Sequence, residues 1–347
     1  MRRIASAGLL LVLMSGFGVG VYHLLDSHRS RTQQGTGTAT PTTATGPVLN
    51  GSIYLAQGGS IYQFQKGRFK KLTAAEGWMQ PAASPDGTRL VAVKRGFNSS
   101  DLFLLGTDGR VQAQLTHNFS TVVEWNHWAF FPRFSPDGGS VFYSYDPKDP
   151  GNTYRVDMAV YALPLNTPRP VARAWTYPNQ YTGGDVSPAP LRSGGLLYSK
   201  FASDGEGKVY SQVWIQGRAG SPGLGLTKPE DNCGQPAVSP SQTSLVVVCH
   251  PSKDVAVLEA ATLDAAGYAA GPLQAVVSAP LLASPGYSPD GLTVAYFAPT
   301  SPGRPFQLWT VSMGPTAPAA AAPGKPPVPR VIGPGLGWDS ASAPVWV

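Results

Sequence analysis

Charged side chains are scarce in this sequence, because Asp, Glu, Lys and Arg together make up only 13% of its 347 residues. No amphipathic stretch of helical length follows the first 30 residues, which argues against an α/β fold. The 40 Gly and 34 Pro point the same way, since Pro removes a helix donor and Gly costs backbone entropy. An apolar content of 42% is too high for a disordered chain. The composition therefore predicts a turn-rich, all-β fold.

Several kinds of chemistry lack their usual residues here. There is no G-x-S-x-G motif for a nucleophilic hydrolase, and no H-x-x-x-H pair for zinc follows residue 47. No run of Lys and Arg forms the basic stripe that nucleic acid requires. The segment D-P-K-D-P-G-N at 146–152 suits either a hard cation or a solvated acidic loop. We expect no cofactor, no catalytic residue, no metal and no nucleic-acid partner.

The N-terminus has the pattern of an export signal. Met1-Arg2-Arg3 is followed by the apolar stretch 4–25, which as a helix would rise about 33 Å, enough to cross a bilayer core. The stretch is either an uncleaved membrane anchor or a cleaved signal peptide. Residues 26–47 contain no large apolar side chain and are expected to form a flexible tether. Either reading puts the remainder on the periplasmic or extracellular side of the cytoplasmic membrane.

A short pattern centred on Ser-Pro recurs about every fifty residues. In its full form it reads S-P-D-G, and a short apolar run follows each copy. Pro presets φ, Asp bonds the local backbone and Gly tolerates positive φ, so the pattern predicts a tight β-hairpin turn. The repeat serines are Ser84, Ser135, Ser187, Ser239 and Ser288.

Each repeat also contains a third and a fourth strand candidate, and four strands in about fifty residues are typical of a β-propeller blade. The last residues, S-A-P-V-W-V at 342–347, match the first strand of a blade whose other strands lie at 51–73. Joining the two chain ends closes the ring and removes exposed sheet edges. We predict a six-bladed β-propeller over 48–347, with blades at 342–347 plus 51–73, 81–116, 132–176, 184–227, 235–278 and 285–332.

The P-x-x-S-P-D-G hairpins followed by an apolar strand resemble the repeat of TolB-type (WD-like) β-propellers. The resemblance covers 48–347 and is strong in blades 2, 3 and 6. Blades 4 and 5 carry the degraded forms S-P-A-P-L-R-S-G-G and S-P-S-Q-T. The resemblance implies an exported propeller of the TolB-like class, and we expect it to lack the N-terminal domain of TolB itself.

The two cysteines flank one of these hairpins. Cys233 and Cys249 are almost equidistant from the expected turn at 241–242, so they lie near each other across an antiparallel strand pair. An exported location permits a disulfide. The alternative is two unrelated small apolar residues.

The loops that lead into the innermost strands are rich in aromatic residues, which are typical of recognition surfaces and interface hot spots. We expect these loops to converge on one face, although some of the aromatics could pack between blades instead. Arg133 and Asp185 could pair at the channel rim beneath them. The candidate binding residues are Trp78, Trp125, His127, Trp128, Arg133, Tyr177, Tyr181, Asp185 and Trp338.

Two functional classes fit this pattern. The first is a non-catalytic scaffold at the cell envelope that binds an envelope protein, or a polysaccharide or peptide ligand. The second is a propeller enzyme, a lyase or hydrolase acting on a glycan or peptide in the central funnel. The missing nucleophile, acid pair and metal ligands favour the scaffold.

Overall fold

The protein is described here from a computed structural model, which covers residues 46–148, 157–269, 271–313 and 328–347. The predicted anchor and almost all of the predicted tether lie outside these ranges. Within the described ranges, we find no helix with the length and apolar character needed to span a bilayer.

The chain forms six four-stranded sheets arranged as the blades of a β-propeller, which confirms the predicted all-β fold. In each blade the strands pair antiparallel, from the inner edge to the outer. Blades 1 to 3 contain β24 (Val345–Trp346), β1 (Ser52–Gln57), β2 (Ser60–Gln65) and β3 (Arg68–Lys71); β4 (Trp78–Ala83), β5 (Arg89–Arg95), β6 (Ser100–Gly106) and β7 (Val111–Gln114); and β8 (Ala129–Phe134), β9 (Ser140–Tyr145), β10 (Ala159–Pro164) and β11 (Arg173–Ala174).

The second half of the ring repeats the same order. Blades 4 to 6 contain β12 (Asp185–Pro190), β13 (Leu196–Ser203), β14 (Val209–Gln216) and β15 (Gly223–Gly225); β16 (Cys233–Val238), β17 (Ser244–Ser252), β18 (Val255–Thr262) and β19 (Gln274–Ala279); and β20 (Ala283–Tyr287), β21 (Thr293–Pro299), β22 (Phe306–Ser312) and β23 (Arg330–Ile332). Single 3-10 turns lie at Val123–Trp125 and Pro229–Asp231.

The S-P-D-G hairpins are held by the bonds that their residue types suggest. In blade 2, Ser84 Oγ donates to Asp86 Oδ1 and accepts the Arg89 amide, while Asp86 Oδ1 also accepts the Thr88 amide. Gly87 closes the turn at φ 68°, a value that glycine adopts without strain. The same Ser–Asp bond recurs in blades 3 and 6, so the repeat is a structural device of the hairpin.

Five inner strands contain a bulge, and in four of them the bulged residue hydrogen-bonds to a neighbouring blade. The bulged residue precedes a proline and has a positive φ, as in Gln80 at 50° and Gln235 at 54°. Gln80 Oε1 accepts the amide of Phe131 in the next blade at 2.7 Å. Gln235 Oε1 likewise accepts the amide of Ser284 at 2.6 Å. These strained residues are held in place because they satisfy backbone donors across blade boundaries.

The predicted alignment of blade 4 is wrong by four residues. Ser187 has φ 54° and occupies the bulge position of Gln80, whereas Leu191 takes the place of the repeat serine. The Leu191 amide bonds Gly195 O at 2.8 Å, as the Ser84 amide bonds Arg89 O at 2.9 Å. A Ser-Pro pair occurs at both positions of the motif, so the sequence alone did not distinguish the bulge from the turn.

The predicted ring closure between the chain ends is confirmed. Tyr54 pairs with Val345 and Ile53 with Trp346, which places β24 at the inner edge of blade 1. Val347 and Ser52 exchange both backbone hydrogen bonds, at 2.6 and 2.9 Å. The last residues of the chain are therefore integral to the sheet.

Cys233 and Cys249 are joined in a disulfide between the inner and second strands of blade 5. They are direct partners in the strand register, with Cα atoms 3.9 Å apart. Both side chains are buried, at 0% and 1% exposure, within the apolar layer between blades 4 and 5. The sequence arithmetic and the structure therefore agree on this pair.

The ring has two faces, which we name by their connections. The upper face carries the loops that lead into the inner strands and the loops that join second and third strands. The lower face carries the hairpin turns such as 84–88. The first described residue, Gly46, donates to Gly67 O in the β2–β3 turn, so the chain joins the propeller from the lower face.

Candidate binding face

The longest described loop on the upper face spans 115–128, between blades 2 and 3. Its base is fixed by buried polar groups: Asn118 Nδ2 donates to Ser100 O and the Asn118 amide donates to Asp101 Oδ1, both at 2.7 Å. The His127 amide donates to Asn118 O at 3.0 Å, which closes the loop. The loop is thus anchored to blade 2 at both of its ends.

The tip of this loop presents apolar side chains to solvent. Asn126 Oδ1 accepts the Ser120 amide at 2.6 Å, which holds the single 3-10 turn at Val123–Trp125 in place. The exposed fractions of its apolar side chains are 66% for Phe119, 48% for Val122, 60% for Val123 and 57% for Trp125. Large apolar groups are thus kept in water by a loop whose base is buried and hydrogen-bonded.

Neighbouring loops extend this exposed surface across blades 2 to 4. Phe97, in the β5–β6 loop, is 98% exposed, and Tyr181, in the loop before β12, is 71% exposed. Tyr177 is 73% exposed, but its ring lies beside Gly220 in the β14–β15 loop on the lower side, so the structure does not place it with the others. The loops are tied together: the Ser100 amide donates to His127 O at 3.3 Å, and the Asp146 amide donates to Trp128 O at 3.0 Å. We call Phe97, Phe119, Val122, Val123, Trp125 and Tyr181 the aromatic face.

Buried charges hold the tyrosine loop in position. Asp157 accepts the amides of Tyr181, Thr182 and Gly183 at 2.8, 2.9 and 3.1 Å. Lys200 Nζ donates to Tyr177 O at 3.2 Å and forms an ion pair with Asp185 at 3.1 Å. The exposed tyrosines therefore project from a backbone that ionic groups fix from below.

Two acids on this side of the ring are fully buried. Burial raises the pKa of Asp185 and of Asp146, and Lys200 and Lys148 act in the opposite direction on each. Lys148 Nζ lies 3.7 Å from Asp146 Oδ2. Asp146 was expected either to bind a cation or to lie in a solvated loop, and its burial contradicts the solvated loop. Its companions Asp149 and Asn152 lie outside the described residues.

Two of the predicted aromatics pack between blades. Trp78 is 4% exposed, with its ring 5.4 Å from that of Phe103 in an edge-on arrangement. Trp338 is 3% exposed and lies 5.2 Å from the ring of Phe69, in the core between blades 6 and 1. The prediction that these two residues line a binding funnel is therefore wrong, because their large side chains fill the apolar layers between blades.

His127 and Trp128 lie half-buried at the root of the 115–128 loop. The His127 ring stacks on Tyr145 at 5.2 Å, with its Nδ1 atom 2.8 Å from Asp146 O. The Trp128 ring stacks on Phe130 at 5.7 Å, and the guanidinium of Arg95 lies 5.4 Å from its centre. These two half-buried residues pack at the base of the loop and not at its exposed tip.

The expected Arg133–Asp185 pair does not form. The carboxylate of Asp185 is bound to Lys200 inside blade 4, and its exposure is 0%. The four-residue shift in blade 4 accounts for this difference, because Ala189 and not Asp185 is the counterpart of Arg133. Arg133 lies half-buried on β8 and donates from Nη1 to Pro132 O at 3.1 Å.

Sequence reasoning missed Phe97, Phe119, Val122 and Val123. Each lies in a segment otherwise rich in Gly, Asn, Ser and Thr, such as R-G-F-N-S-S at 95–100. An apolar residue isolated among turn-forming residues has no strand in which to be buried. That context is the signal that could have identified them.

Clefts on the lower face lie at the junction of blades 3 and 4. Two clefts of about 490 and 500 Å³ flank Trp175, the first lined also by Phe142 and Arg192 and the second by Arg169. The aromatic face lines neither of them. It is an open surface, which suits a macromolecule better than a small ligand.

Solved structures show the same fold. TolB from Acinetobacter baumannii superposes with a TM-score of 0.60 at 15% identity, over 94% of this chain and 69% of that one. A TolB-type protein from Agrobacterium tumefaciens gives 0.50 at 18%, over 69% and 82%. Hydrazine synthase from Kuenenia stuttgartiensis gives 0.57 at 12%, over 87% and 50%. No protein-family model and no curated protein sequence matches the chain. The structural neighbours thus include TolB-type β-propellers, and the likeness establishes the fold.

Proposed function

We propose that this chain is a non-catalytic binding scaffold of the cell envelope, and that its aromatic face docks a protein partner. The observation that carries the proposal is the number of exposed Trp, Tyr, Phe and Val side chains on upper-face loops of three adjacent blades. Trp and Tyr dominate the energetics of protein interfaces. Monomeric proteins rarely leave such a patch uncovered without a function for it.

Rigidity supports the same proposal. The loop at 115–128 and the loop before β12 are both fixed by buried hydrogen bonds, from Asn118 and Asp157 among others. Surface loops that are already ordered lose little conformational entropy when a partner binds. A surface held in this way suits recognition of a folded protein or of one of its exposed segments.

The proposed location outside the cytoplasm rests on two features of the chain. The apolar N-terminal stretch is typical of an export signal, and the Cys233–Cys249 disulfide is of a kind that persists in oxidising compartments. Gly46 joins the propeller on the lower face. If residues 4–25 anchor the chain, the lower face is nearest the point of attachment and the aromatic face is on the opposite side.

The proposal is tested by affinity capture from envelope extract with the full-length chain as bait. Replacing Trp125 and Tyr181 together with Ala should weaken the affinity for the captured partner by about thirtyfold or more, which corresponds to a loss of about 1 kcal/mol or more for each aromatic side chain. Tyr268→Ala is the matched control, because Tyr268 is 39% exposed on a lower-face loop. Equal capture by the double variant and the control would contradict the proposal.

A further inference from the structure

We propose that Arg133 is the binding point for an oxyanionic group, a carboxylate or a phosphate, inside the propeller ring. The residue lies on the inner strand of blade 3, opposite Phe142, which packs in the apolar layer between blades 3 and 4. This site is separate from the aromatic face, and it does not depend on the function proposed above.

The position is unusual within the repeat. In the strand register Arg133 is opposite Phe142, directly after the bulge of β8. The corresponding residues of the other five blades are all small or apolar: Val345, Ala82, Ala189, Ala237 and Gly286. A guanidinium at one of these equivalent positions is therefore not required by the blade itself.

No acid neutralises this guanidinium among the described residues. The ion pairs there join Lys94 to Glu76, Lys148 to Asp146 and Lys200 to Asp185. Arg133 bonds only to Pro132 O, through Nη1, although a guanidinium has five N–H donors. Its Nε and Nη2 atoms are not among the buried polar atoms that lack a partner, so they keep contact with solvent.

The surroundings make a guanidinium without a carboxylate partner costly. Burial lowers the pKa of Arg133 to about 10, and no nearby carboxylate acts in the opposite direction. The side chain is still charged at neutral pH, and a partly desolvated cation without a counter-ion destabilises the fold. An oxyanion would offset that cost, because a guanidinium binds carboxylates and phosphates through two parallel hydrogen bonds.

Arg133 is accessible to such a group because its side chain is only half-buried. Its counterparts Ala82 and Ala189 pack in the apolar layers between blades, whereas the longer Arg133 side chain keeps contact with solvent. The nearest acid expected from the repeat, Asp185, is already bound to Lys200. No described carboxylate bonds to Arg133, and the anion that we propose is a free ion or an acidic group of a larger ligand.

The test is thermal unfolding of the full-length chain in chloride, acetate and phosphate at equal ionic strength and pH. We expect acetate or phosphate, at concentrations near ten times its Kd, to raise the Tm of the parent protein. The rise should be about 2 °C larger than the rise that the same anion causes in Arg133→Gln. Arg218→Gln, at an exposed site, should keep the full shift, and so should Trp125→Ala, whose defect would concern only the aromatic face. The anion with the larger shift identifies the ligand chemistry.

A second comparison guards against a purely structural role for Arg133. In chloride alone, Arg133→Gln should be at least as stable as the parent, because an unpaired charge has been removed. A fall of several degrees in that buffer, with no anion-dependent difference between the two proteins, would overturn the proposal. An equal response of the parent and Arg133→Gln to every anion would also overturn it.

Discussion

Removal of residues 342–347 should open the propeller ring. The deleted segment supplies the inner strand of blade 1, and its backbone exchanges hydrogen bonds with Ser52 and pairs with Ile53 and Tyr54. Ser342 Oγ also accepts the Gln80 amide at 2.9 Å, which links blade 1 to blade 2. Trp346 Nε1 donates to Asn50 O at 2.7 Å.

The expected loss is large compared with the stability of a typical domain. Each of these hydrogen bonds contributes about 1 kcal/mol, so the ladder, the Trp346 bond and the Ser342 bond together give about 5 kcal/mol. The half-buried side chains of Val345, Trp346 and Val347 pack against the cores on either side of blade 1, and we expect about 1 kcal/mol from each. The sum of about 8 kcal/mol lies within the range of about 5 to 15 kcal/mol that separates folded from unfolded proteins.

Urea unfolding followed by tryptophan fluorescence measures this loss. We expect the truncated chain to unfold at a much lower urea concentration, or to be unfolded without urea. Trp346→Ala, which keeps the backbone ladder, should lie between the truncated chain and the parent. A truncated chain with the same midpoint and cooperativity as the parent would refute the closure argument.

Three further predictions follow from individual contacts. Replacing Cys233 and Cys249 with Ala should lower the free energy of unfolding by about 3 kcal/mol, because the disulfide joins residues 16 positions apart and so restricts the unfolded chain. An unchanged free energy of unfolding under oxidising conditions would contradict this. Hydrogen bonds from Ser84 and Thr88 lower the pKa of Asp86 to about 2, so its stabilising effect is complete above its unfolded value near 4 and is lost as the pH falls toward 2. The difference in urea midpoint between Asp86→Asn and the parent should therefore shrink over that range, and a difference that is constant with pH would be inconsistent with the bond. Trp338→Ala should cost about 3 to 5 kcal/mol and Trp125→Ala less than about 0.5, since the first is buried and the second is exposed.

Most of the fold could be predicted from the hairpin repeat in the sequence. Its S-P-D-G turns depend on local bonds between Ser84, Asp86 and Gly87, and local chemistry is what a sequence displays directly. Ring closure could also be predicted, because the last residues repeat the inner-strand pattern and blade 1 otherwise lacks an inner strand. The cysteine pair was found from its symmetric spacing around one turn.

The contacts between blades could not be predicted from the sequence. Trp78, Trp125 and Trp338 all precede or enter inner strands, yet only Trp125 is exposed, because burial depends on the blade packed against it. The blade 4 shift had a related cause, since Ser187 and Pro188 fit the bulge as well as the turn. The predicted Arg133–Asp185 pair was wrong for the same reason, because it depended on that alignment of blade 4.

The claim that the aromatic face binds a protein is tested most directly by site-specific photocrosslinking in the native envelope. A benzoylphenylalanine at position 123 lies at the centre of the exposed loop tip, and one at position 268 lies on the lower face as a control. We predict a crosslinked protein of one defined mass from position 123 and none from position 268. Crosslinking only from position 268, or from neither position, would contradict the account.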